Sequence, residues 1–399
     1  MAERHILAAG LDAASGEARF VICVLENGRL RLLGCAAVPA RGWLKGRIAD
    51  QKALTETILA ALRAAEAAAG VSVESAVVGM GGPTVRGANA RGVLDLEYVR
   101  EIDQRDVIRV VERAARVQLQ EDRMLLQLFP QDFVVDGHPG HRDPRRMMAS
   151  KLEVNVHLIT ASVQEHAALV GAVNQAHLVV EETVFEALAA CYAAVLPEER
   201  RAGIAAVDIG AESTELVVYY GDSLYLASTV RICGDHFTND LAQGLILSFD
   251  EAETVKLEYG SALAEACLEK TLVELPTPGN RERRGAGRRK VGEILQARGE
   301  ELFRHVRSEL TRVGMEHALR GGVFLTGGGA KLPELCDVAD RMLDCEARYG
   351  LTVGIEDWPK DLDDPKWCVA AGLAMYSAKL KAKERRKRET AGWLGKMWK

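Results

Sequence analysis

The chain has 399 residues, of which 48% are hydrophobic and 27% are charged, and its formal net charge is −6. This composition predicts a soluble globular protein of two to three domains and excludes a largely disordered chain. The eight cysteines are scattered without a C-x-x-C pair, which favours a reduced, cytosolic chain over a disulfide framework or a zinc site. No signal-like stretch opens the chain, and no apolar run approaches the ~20 residues needed to span a bilayer.

The first predicted elements are a meander of strands and a helix. Asp12 ends an apolar strand, a small-residue turn follows it, and Asn27-Gly28 forms the turn of the next hairpin. An Ala-rich amphipathic helix ends at Gly70, a typical C-cap residue. The predicted elements are strands at 5–12, 18–26, 29–38 and 75–79 and a helix at 52–69.

The stretch 79–96 is rich in glycine but lacks the Lys-Ser/Thr of a phosphate-binding P-loop, so it predicts a boundary between subdomains. The block 80–160, which begins within this stretch, predicts a compact β-α-β-β unit. The unit is inserted into the first of two lobes that the rest of the chain predicts, as described below. It contains no plausible catalytic constellation, which favours an interaction module. Its predicted helix covers 103–118, its strands cover 124–135 and 151–160, and further helices are predicted at 162–176 and 185–196.

Residues 204–222 carry a pattern that points to chemistry. An apolar run ending at Asp208 predicts a buried strand, 210–213 predicts a turn, and 216–220 predicts a second strand. The strand end places a carboxylate and several backbone N–H groups at one point, which suits nucleotide phosphates and a Mg²⁺ ion held through waters on Asp208. The alternative is an ordinary hairpin in which Asp208 only forms the turn.

Two further stretches extend this pattern. Aligning Asp12 on Asp208 superimposes two strand–Asp–turn–strand units, which predicts two similar lobes that close on one cleft. A buried strand ending in Thr-Gly-Gly-Gly at 326–329 lets a flat ring approach the backbone, because glycine has no side chain in the way. Duplicated lobes with such a pocket define the actin-like ATPase architecture.

Between these stretches the sequence predicts helix starts and a basic loop. Gly234 predicts a turn, and the helix that begins at Thr238 has an N-terminus that can face a phosphate. Ser248 predicts a capped helix start. An arginine-rich loop at 275–298 precedes a long helix that runs through Gly314, and such a loop is typical of a solvated surface because nucleic-acid binders carry a broader basic face.

Residues 379–399 form a separate electrostatic unit. They hold nine Lys or Arg and two Glu, a net charge of +7 that leaves −13 on the rest of the chain. On a predicted helix, two Trp, a Leu and a Met share one face and Lys residues lie opposite. This pattern suits the boundary between lipid headgroups and acyl chains, and the alternative is a segment that packs on its own protein or on a partner. The residues assigned to membrane binding are Trp393, Leu394, Lys396, Met397 and Trp398.

Taken with these stretches, the sequence resembles the family of the bacterial cell-division protein FtsA, an actin-like membrane tether of the division ring. The resemblance covers nearly the whole chain. P-Q-D-F-x-V-D-G and G-D-H-x-T-N-D are specific to the family, whereas T-G-G-G is shared across actin-like proteins. The matching stretches are 10–12, 129–137, 151–153 with His157, 208–210, 234–240, 325–330 and the tail.

The resemblance implies an α/β, two-lobed actin-like ATPase fold with duplicated lobes around a nucleotide cleft. It adds an inserted FtsA-type β-α-β-β subdomain and a C-terminal amphipathic helix. The implied domains are the first lobe (1–79 and 161–200), the inserted self-association subdomain (80–160), the second-lobe core (201–247 and 315–378), its outer partner-docking subdomain (248–314), a basic linker (379–390) and a membrane-binding helix (391–399).

The resemblance also implies ATP and Mg²⁺ as ligands. Asp12 and Asp208 are the expected metal residues, and Asp208 is the one candidate for a catalytic role. The expected nucleotide-binding residues are Asp12, Ser15, Gly16, Asp208, Gly210, Ser213, Gly234, Asp235, Glu253, Lys256, Gly327, Gly328 and Gly329.

The chain departs from the family pattern in both hairpins. Where the family carries Asp-x-Gly-Thr-Ser-Lys, this chain has Ala14 and Glu17, and the family's Asp-x-Gly-Gly-Gly-Thr-Thr-Asp is interrupted. In the second hairpin the intruding residues are Ala211, Glu212 and Glu215. Added Cβ atoms push backbone amides away from a phosphate, and an unpaired like charge at ~4 Å costs on the order of 1–4 kcal/mol. The departures therefore predict weakened nucleotide binding and slow or absent hydrolysis.

The function implied is that of an adaptor that self-associates and anchors the ring of the tubulin-like FtsZ to the cytoplasmic face of the inner membrane at the division site. It would also recruit later division-ring proteins, and its implied partners include anionic inner-membrane lipids but no nucleic acid. The acidic, apolar FtsZ tail is expected to dock within 275–310. The residues assigned to that docking are Arg288, Arg289, Lys290 and Arg298.

Two alternatives remain open from the sequence. An actin-like pilus-assembly scaffold shares D-I-G-A in the second hairpin, but it lacks the inserted P-Q-D-F-x-V-D-G block and does not explain the terminal Trp pair. A phosphotransferase of the same fold needs a general base aimed at a substrate hydroxyl, and the sequence offers no candidate for one.

Overall fold

The computed structural model describes residues 5–116, 119–267, 271–275 and 284–397, with side chains described as far as Arg386. Its helices are α1 (Gln51–Ala69), α2 (Gln104–Ala115), α3 (Val163–Gln175), α4 (Glu186–Ala194), α5 (Pro197–Ala202), α6 (Gly234–Leu245), α7 (Phe249–Tyr259), α8 (Arg288–Arg312), α9 (Leu335–Leu343) and α10 (Cys368–Met397).

Within the described ranges the strands fall into three larger sheets and two short hairpins. They are β1 (Ile6–Ala13), β2 (Glu17–Glu26), β3 (Arg29–Pro39), β4 (Trp43–Leu44), β5 (Arg47–Ile48), β6 (Ser75–Met80), β7 (Arg86–Glu101), β8 (Arg123–Val135), β9 (His138–His141), β10 (Met148–Ser162), β11 (Val179–Phe185), β12 (Ile204–Ile209), β13 (Thr214–Tyr220), β14 (Ser223–Val230), β15 (Leu272–Leu275), β16 (Arg284–Gly287), β17 (Val323–Thr326) and β18 (Ala347–Tyr349).

The two lobes repeat one sheet topology. In the first lobe the antiparallel β1–β2–β3 meander continues through parallel strands β6 and β11, in the order β11-β6-β1-β2-β3. In the second lobe antiparallel β12–β13–β14 continues through parallel β17 and β18, in the order β14-β13-β12-β17-β18. The duplication predicted from the two Asp-ended strands is therefore confirmed.

Local sequence signals define several helix ends. The carboxylate of Asp50 caps the start of α1, and Gly70 ends that helix with a left-handed φ of 66°. Asp103 caps α2, and Ser248 forms a capping box with Glu251 at the start of α7, as the sequence predicted.

The inserted unit lies between β6 and α3 as a four-stranded antiparallel sheet in the order β7-β10-β8-β9, with α2 packed on it. It differs from the predicted β-α-β-β unit, because much of the glycine-rich stretch belongs to the long strand β7 and because β9 is an additional strand. Pairing with β10 satisfies the backbone of β7 despite its weak β-propensity. Gly92 serves close packing, since a Cβ there would lie 2.2 Å from the carbonyl oxygen of Val110 on α2.

The inserted subdomain also contacts the second lobe at β14. The Ala227 N–H donates to Nε2 of His157 over 3.0 Å, and Nδ1 of the same ring lies 2.6 Å from Oδ1 of Asn89. The Gln131 side chain donates to the Leu224 carbonyl oxygen over 3.0 Å. Burial lowers the pKa of His157 to about 4, so the ring accepts the Ala227 hydrogen bond in its neutral form.

Helices α4 and α10 pack closely in the core of the first lobe. A Cβ on Gly372 would lie 1.8 Å from the Ala189 carbonyl oxygen on α4, and a Cβ on Gly10 would lie 2.4 Å from the Ala370 carbonyl oxygen. Both glycines therefore allow backbones to approach more closely than any side chain permits.

Helices α2 and α4 end at Ala115 and Ala194, before their predicted ends at 118 and 196, and three further helices differ more from the prediction. Helix α6 begins at Gly234 rather than at Thr238. Helix α8 begins at Arg288, so its basic first turn is helical and not part of a loop. Helix α10 is continuous from Cys368 to Met397, so the backbone of the predicted linker at 379–390 is helical. Within the described ranges, none of the helices combines the length and apolar character needed to cross a membrane.

The middle of α10 is fixed to the first lobe by polar contacts. The Ser377 hydroxyl and the Lys381 ammonium contact the Glu181 carboxylate at 2.9 and 2.8 Å. Lys381 also donates to the Leu7 carbonyl oxygen over 2.9 Å, and the Tyr376 hydroxyl lies 2.9 Å from Oε1 of Glu182. Beyond these contacts the side chains from Lys383 to Arg386 are exposed.

Candidate functional site

A cavity of about 570 Å³ lies between the two lobes. It is lined by the turns that follow the two Asp-ended strands, the glycines after β17 and the start of α6. The convergence of these elements, which the paired hairpins predicted, is confirmed. The residues assigned to nucleotide binding from the sequence all line this cavity: Asp12, Ser15, Gly16, Asp208, Gly210, Ser213, Gly234, Asp235, Glu253, Lys256, Gly327, Gly328 and Gly329.

The second hairpin and the start of α6 form one backbone unit. The Gly210 N–H donates to the Ser213 carbonyl oxygen over 2.8 Å and closes the turn. The N–H groups of Gly234 and Asp235 donate to the carbonyl oxygens of Gly210 and Ala211 at 2.9 and 2.8 Å. These bonds hold the N-terminus of α6 at the cavity, where the positive end of the helix dipole favours an anion.

Gly327 ends β17 with a left-handed φ of 82°. A Cβ at this position would lie 2.5 Å from Oδ1 of Asp208, so the side chain of Asp208 needs a glycine here. The Thr326 hydroxyl donates to the Pro365 carbonyl oxygen over 2.7 Å and ties the strand end to the segment before α10.

The floor of the cavity is acidic. Asp12 ends β1, Glu186 begins α4, and Asp208 and Glu215 face each other across the β12–β13 pair. Carboxylate oxygens of Glu186, Asp208 and Glu215 all lie within 4.8 Å of one another. Glu186 and Glu215 were not assigned to the site from the sequence. Glu186 carries the same signal as Asp12, a carboxylate directly after a buried strand, but β11 was not predicted.

Burial and mutual repulsion raise the pKa of these carboxyl groups. Burial raises the pKa of Asp208 to about 7, and the charge of Asp12 adds to the effect. Burial, followed by repulsion within the cluster, raises the pKa of Glu186 and of Glu215 well above the usual range. Burial also raises the pKa of Asp12, although the neighbouring Arg19 opposes this shift.

The donor set of this floor fits a hard divalent cation. Oδ1 of Asp12 is buried, and among the described residues it has no hydrogen-bond partner. An unsatisfied carboxylate oxygen beside three converging carboxylates is the type of all-oxygen environment that Mg²⁺ prefers. Asp12 and Asp208, the metal residues expected from the sequence, would hold such an ion together with Glu186 and Glu215.

Glu17 is paired with two cations and does not present a free charge to the cavity. Its Oε2 lies 2.9 Å from Nη2 of Arg19 and 3.3 Å from Nζ of Lys366, and Nη1 of Arg19 lies 3.1 Å from Oδ2 of Asp12. Burial favours a higher pKa for Glu17, but the two cations hold its pKa below the ordinary value. Neither cation was assigned to the site from the sequence, although the hairpin register places Arg19 directly opposite Asp12.

Glu212 differs from its expected position beside a phosphate. Its carboxylate accepts hydrogen bonds from the N–H groups of Lys45 and Gly46, at 3.1 and 2.9 Å, in the β4–β5 turn of the first lobe. Glu215 likewise accepts from the Gly82 N–H over 2.7 Å. Both intruding glutamates thus bond to backbone amides across the cleft.

The edge of the cavity at α7 carries an ordered polar network. Nζ of Lys256 donates to the Thr238 hydroxyl over 2.7 Å and lies 2.6 Å from Oε2 of Glu253. Burial raises the pKa of Asp235 to about 6, and the nearby Glu212 charge adds to it. The network orders these side chains at the cavity wall.

The residues assigned to partner docking lie on α8. Arg298 donates to both carboxylate oxygens of Asp240, at 2.6 and 2.8 Å, and to Glu301 at 2.6 Å. Its guanidinium is therefore used within the second lobe, which weakens its assignment to docking. The other three residues form the first turn of α8: Arg288, Arg289 and Lys290.

The residues assigned to membrane binding fall outside the described side chains. The backbone of α10 is helical through Met397. Only the backbone is described for Trp393, Leu394, Lys396 and Met397, and Trp398 lies beyond the described residues.

Comparisons with solved structures identify the fold. The PilM-PilN type IV pilus biogenesis complex contains a chain with a TM-score of 0.67 at 20% identity, covering 93% of this chain and 98% of that chain. A crystal structure of MreB5 of Spiroplasma citri bound to ADP has a TM-score of 0.56 at 12% identity, covering 95% of this chain and 98% of that chain. The α/β fold is therefore the actin-like ATPase fold that the duplicated hairpins predicted.

Sequence comparisons identify the family. The family model for the cell division protein FtsA matches residues 205–372, and the model for the SHS2 domain inserted in FtsA matches residues 82–160. The cell division protein FtsA of Borreliella burgdorferi is 32% identical over 410 residues, which covers 98% of this chain and 99% of the relative. Since both the core and the insertion match, this chain belongs to the FtsA family of cell division proteins.

Proposed function

We propose that this protein is a division-ring adaptor that binds ATP with Mg²⁺, associates with further copies of itself and holds the FtsZ tail at the cytoplasmic face of the inner membrane. Other division-ring proteins are further partners in this proposal. Membership of the FtsA family makes it a cell division protein. The observation that carries the nucleotide part is the convergence of both Asp-ended hairpins, α6 and the T-G-G-G turn on one cavity.

Three features of the cavity support nucleotide binding. The two hairpin turns and the start of α6 line it, and the positive end of the α6 dipole favours phosphate oxygens. The buried, unsatisfied oxygen of Asp12 supports a role for Mg²⁺. The glycines after β17 leave room for a flat base against the backbone. The neighbour MreB5 was solved with ADP bound, which agrees with this use of the fold.

We infer that hydrolysis is slow or absent. Ala14 and Ala211 put methyl groups at both phosphate turns, where the family pattern has glycine. Glu212 and Glu215 already join the lobes through backbone amides, so closure of the lobes does not depend on a terminal phosphate. Asp208 remains the candidate for any catalytic role.

The adaptor role places docking and membrane binding at separate surfaces. The basic first turn of α8, with Arg288, Arg289 and Lys290, has the charge to attract an acidic peptide such as the FtsZ tail. The basic end of α10 and the terminal Trp pair have the composition of an interfacial anchor.

Reconstitution on vesicles tests the proposal in one experiment. A labelled FtsZ tail peptide is mixed with the protein and vesicles that contain anionic lipids, and the peptide that sediments with the vesicles is measured with and without Mg²⁺–ATP. The peptide should sediment only when the protein is present. A protein that binds vesicles but leaves the peptide in solution would contradict the adaptor role, and calorimetry of ATP binding tests the cavity separately.

The alternatives have less support. The pilus-assembly scaffold shares the fold, but the structural neighbour of that class is only 20% identical, whereas the FtsA family models match both the core and the insertion. A phosphotransferase of the same fold has no support from the family models, which match the cell division protein FtsA.

A further inference from the structure

The ion pair between Glu17 and Lys366 brings a cation to the first phosphate turn from a distant part of the chain. Lys366 lies in the short 3₁₀ turn before α10, and its Nζ reaches Oε2 of Glu17 over 3.3 Å. Both residues line the cavity, and the Lys366 side chain is 25% exposed. The ammonium group is therefore accessible to a ligand in the cavity.

The backbone of Lys366 is held in place from several sides. Its N–H donates to Oδ1 of Asp364 over 3.0 Å, and the preceding Pro365 accepts hydrogen bonds from the Thr326 hydroxyl and the Gly327 N–H. Trp367 is 4% exposed and anchors the other end of the turn. The position of this lysine is thus fixed relative to the T-G-G-G turn on one side and to Glu17 on the other.

A second observation at the same place points to an anion. Arg19 lines the cavity and is 7% exposed, yet its Nε–H has no hydrogen-bond partner in the part of the chain that the structure describes. A buried charged donor without an acceptor is rare in native proteins. The arginine holds Asp12 and Glu17 with its other nitrogens, so it retains one donor for a further group.

The charge of the cavity shows why these cations matter. Carboxylates outnumber cations in its lining, and two of the four cations are held by acids away from the first turn: Lys256 by Glu253, and Lys331 by Asp364. Arg19 and Lys366 are left beside that turn. A polyphosphate would otherwise meet a wall of net negative charge there.

We propose that Lys366, with Arg19, supplies the cationic contact to the polyphosphate of a bound nucleoside triphosphate at the first hairpin. Glu17, which stands where the family pattern has a lysine, is the positioning residue that holds this cation over the turn. The inference rests on the proposed nucleotide binding and names which residues of this chain perform it. The contact is the same for any polyphosphate, because it involves no part of the base or sugar.

A charge exchange tests this role. Calorimetry measures the dissociation constants of Mg²⁺–ATP and of Mg²⁺–tripolyphosphate for the full chain, Lys366→Met, Glu17→Lys/Lys366→Glu and Lys366→Arg. Lys366→Met should weaken both ligands by about tenfold, as expected for one charge-assisted contact. The exchanged pair should recover most of that loss because it returns a lysine to the turn, and Lys366→Arg should retain binding. Lys360→Met, an exposed lysine outside the cavity lining, is the matched control, and thermal unfolding checks that each variant is folded.

The two ligands separate this inference from the proposed nucleotide function. If tripolyphosphate binds and Lys366→Met loses it while ATP fails to bind, the polyphosphate contact of Lys366 stands and nucleotide binding is overturned. If ATP binds equally to the full chain and to Lys366→Met, the inference is overturned and nucleotide binding stands. Failure of the full chain to bind either ligand overturns both, and an exchanged pair as weak as Lys366→Met contradicts the role given to the lysine at this turn.

Discussion

The carboxyl groups on the floor of the cleft repel one another, and either a cation or protons must relieve that repulsion. Asp12, Glu186, Asp208 and Glu215 lie on elements of both lobes, so the repulsion acts directly across the line where the lobes meet. Two opposing effects act on the contact between the lobes at these carboxyl groups. Backbone amides of the first lobe bond to Glu215 and draw the lobes together, while the unneutralised charges push them apart.

The first prediction concerns pH. In the unfolded chain Asp208 titrates near ~4, whereas in the folded protein its pKa is about 7. The folded state therefore binds more protons between these values, and the free energy of unfolding should fall as pH rises through this window, by at most about 1.4 kcal/mol per pH unit from this group. The raised pKa values of Glu186 and Glu215 act in the same direction. Urea unfolding from pH 5 to pH 8 with a chelator present measures the slope.

Asp208→Asn should flatten this slope, and the exposed Asp95→Asn should leave it unchanged. Mg²⁺ should raise the free energy of unfolding most at the alkaline end, where the carboxylates are charged. An Asp208→Asn protein with the same slope as the full chain would show that this carboxyl group is not the source.

The second prediction concerns Glu212, whose carboxylate bonds to the Lys45 and Gly46 amides. Glu212→Gln keeps the size of the side chain but loses the charge and one acceptor, so the free energy of unfolding should fall by about 1–3 kcal/mol. Proteolysis within the β4–β5 turn should become faster. Glu198→Gln, an exposed carboxylate, is the control. Since the Glu212 carboxylate bonds across the cleft, its removal should not increase the affinity for ATP. A higher affinity of Glu212→Gln in calorimetry would show that this charge acts at the phosphate site.

At the scale of elements, the first lobe depends on close contact between α10, α4 and β1. Helix α10 packs its first half between these two neighbours, and its N-terminal end borders the cavity at Val369. The contact is made by backbone atoms at Gly372 and Gly10, so its geometry is set by the lack of a side chain.

The third prediction follows from that contact. Gly372→Ala adds a Cβ that would lie 1.8 Å from the Ala189 carbonyl oxygen, so α10 must move away from α4. Overpacking of this kind costs typically 1–3 kcal/mol, and a forced backbone shift makes the upper end of that range the expected result. Gly287→Ala, where an added Cβ meets nothing within 4 Å, should be close to neutral. Chemical unfolding of the two variants decides the point, and equal stabilities would contradict the close packing.

The elements also show which features the sequence could reveal. Ser248 and Gly70 define helix ends through local chemistry, and a local pattern predicted them. The hairpins after Asp12 and Asp208 were predicted for the same reason. The nucleotide-binding residues assigned to these hairpins from the sequence line the cavity. Strand β7 was not located within the predicted unit because Gly92 packs against α2 and the backbone of the strand is satisfied by β10, and neither partner is near in sequence.

The cavity residues that were missed have a similar explanation. Lys366 and Glu17 are far apart in the chain, so only the fold brings them together. Glu212 was placed beside a phosphate because the sequence shows its charge but not the amides of the opposite lobe. Partners that are distant in sequence decide what these side chains do.

At the scale of the whole molecule, α10 connects the first lobe to the basic end of the chain. Ser377 and Lys381 fix the helix to Glu181, and the backbone continues as a helix to Met397. A truncation that tests the tail should therefore end after Lys383, which keeps both contacts.

The fourth prediction is that this tail binds anionic membranes. Trp393→Glu should abolish vesicle binding at any salt concentration, because it puts a charge on the proposed apolar face. Neutralising 385–388 should weaken binding mainly on anionic lipid, at ~1 kcal/mol per Lys or Arg, with screening beyond ~8 Å. Trp393→Phe, which keeps an aromatic side chain, is the matched control. Vesicle co-sedimentation measures all variants, and a truncated chain that sediments as well as the full chain would show that the folded body binds the membrane.

The hydrogen bond from the Ala227 amide to His157 makes one hydrogen atom a reporter of large-scale motion. This amide on the second lobe can exchange its proton with solvent only when the inserted subdomain separates from β14. Because the pKa of the ring is about 4, the acceptor stays neutral from pH 5 to pH 8 and does not titrate in that range. Deuterium uptake at Ala227 should therefore measure how often the inserted subdomain separates from the second lobe. His157→Ala should abolish the protection of this amide against exchange that the ring provides. If added Mg²⁺–ATP slows this uptake, opening of the cleft and separation of the inserted subdomain from β14 occur in the same event.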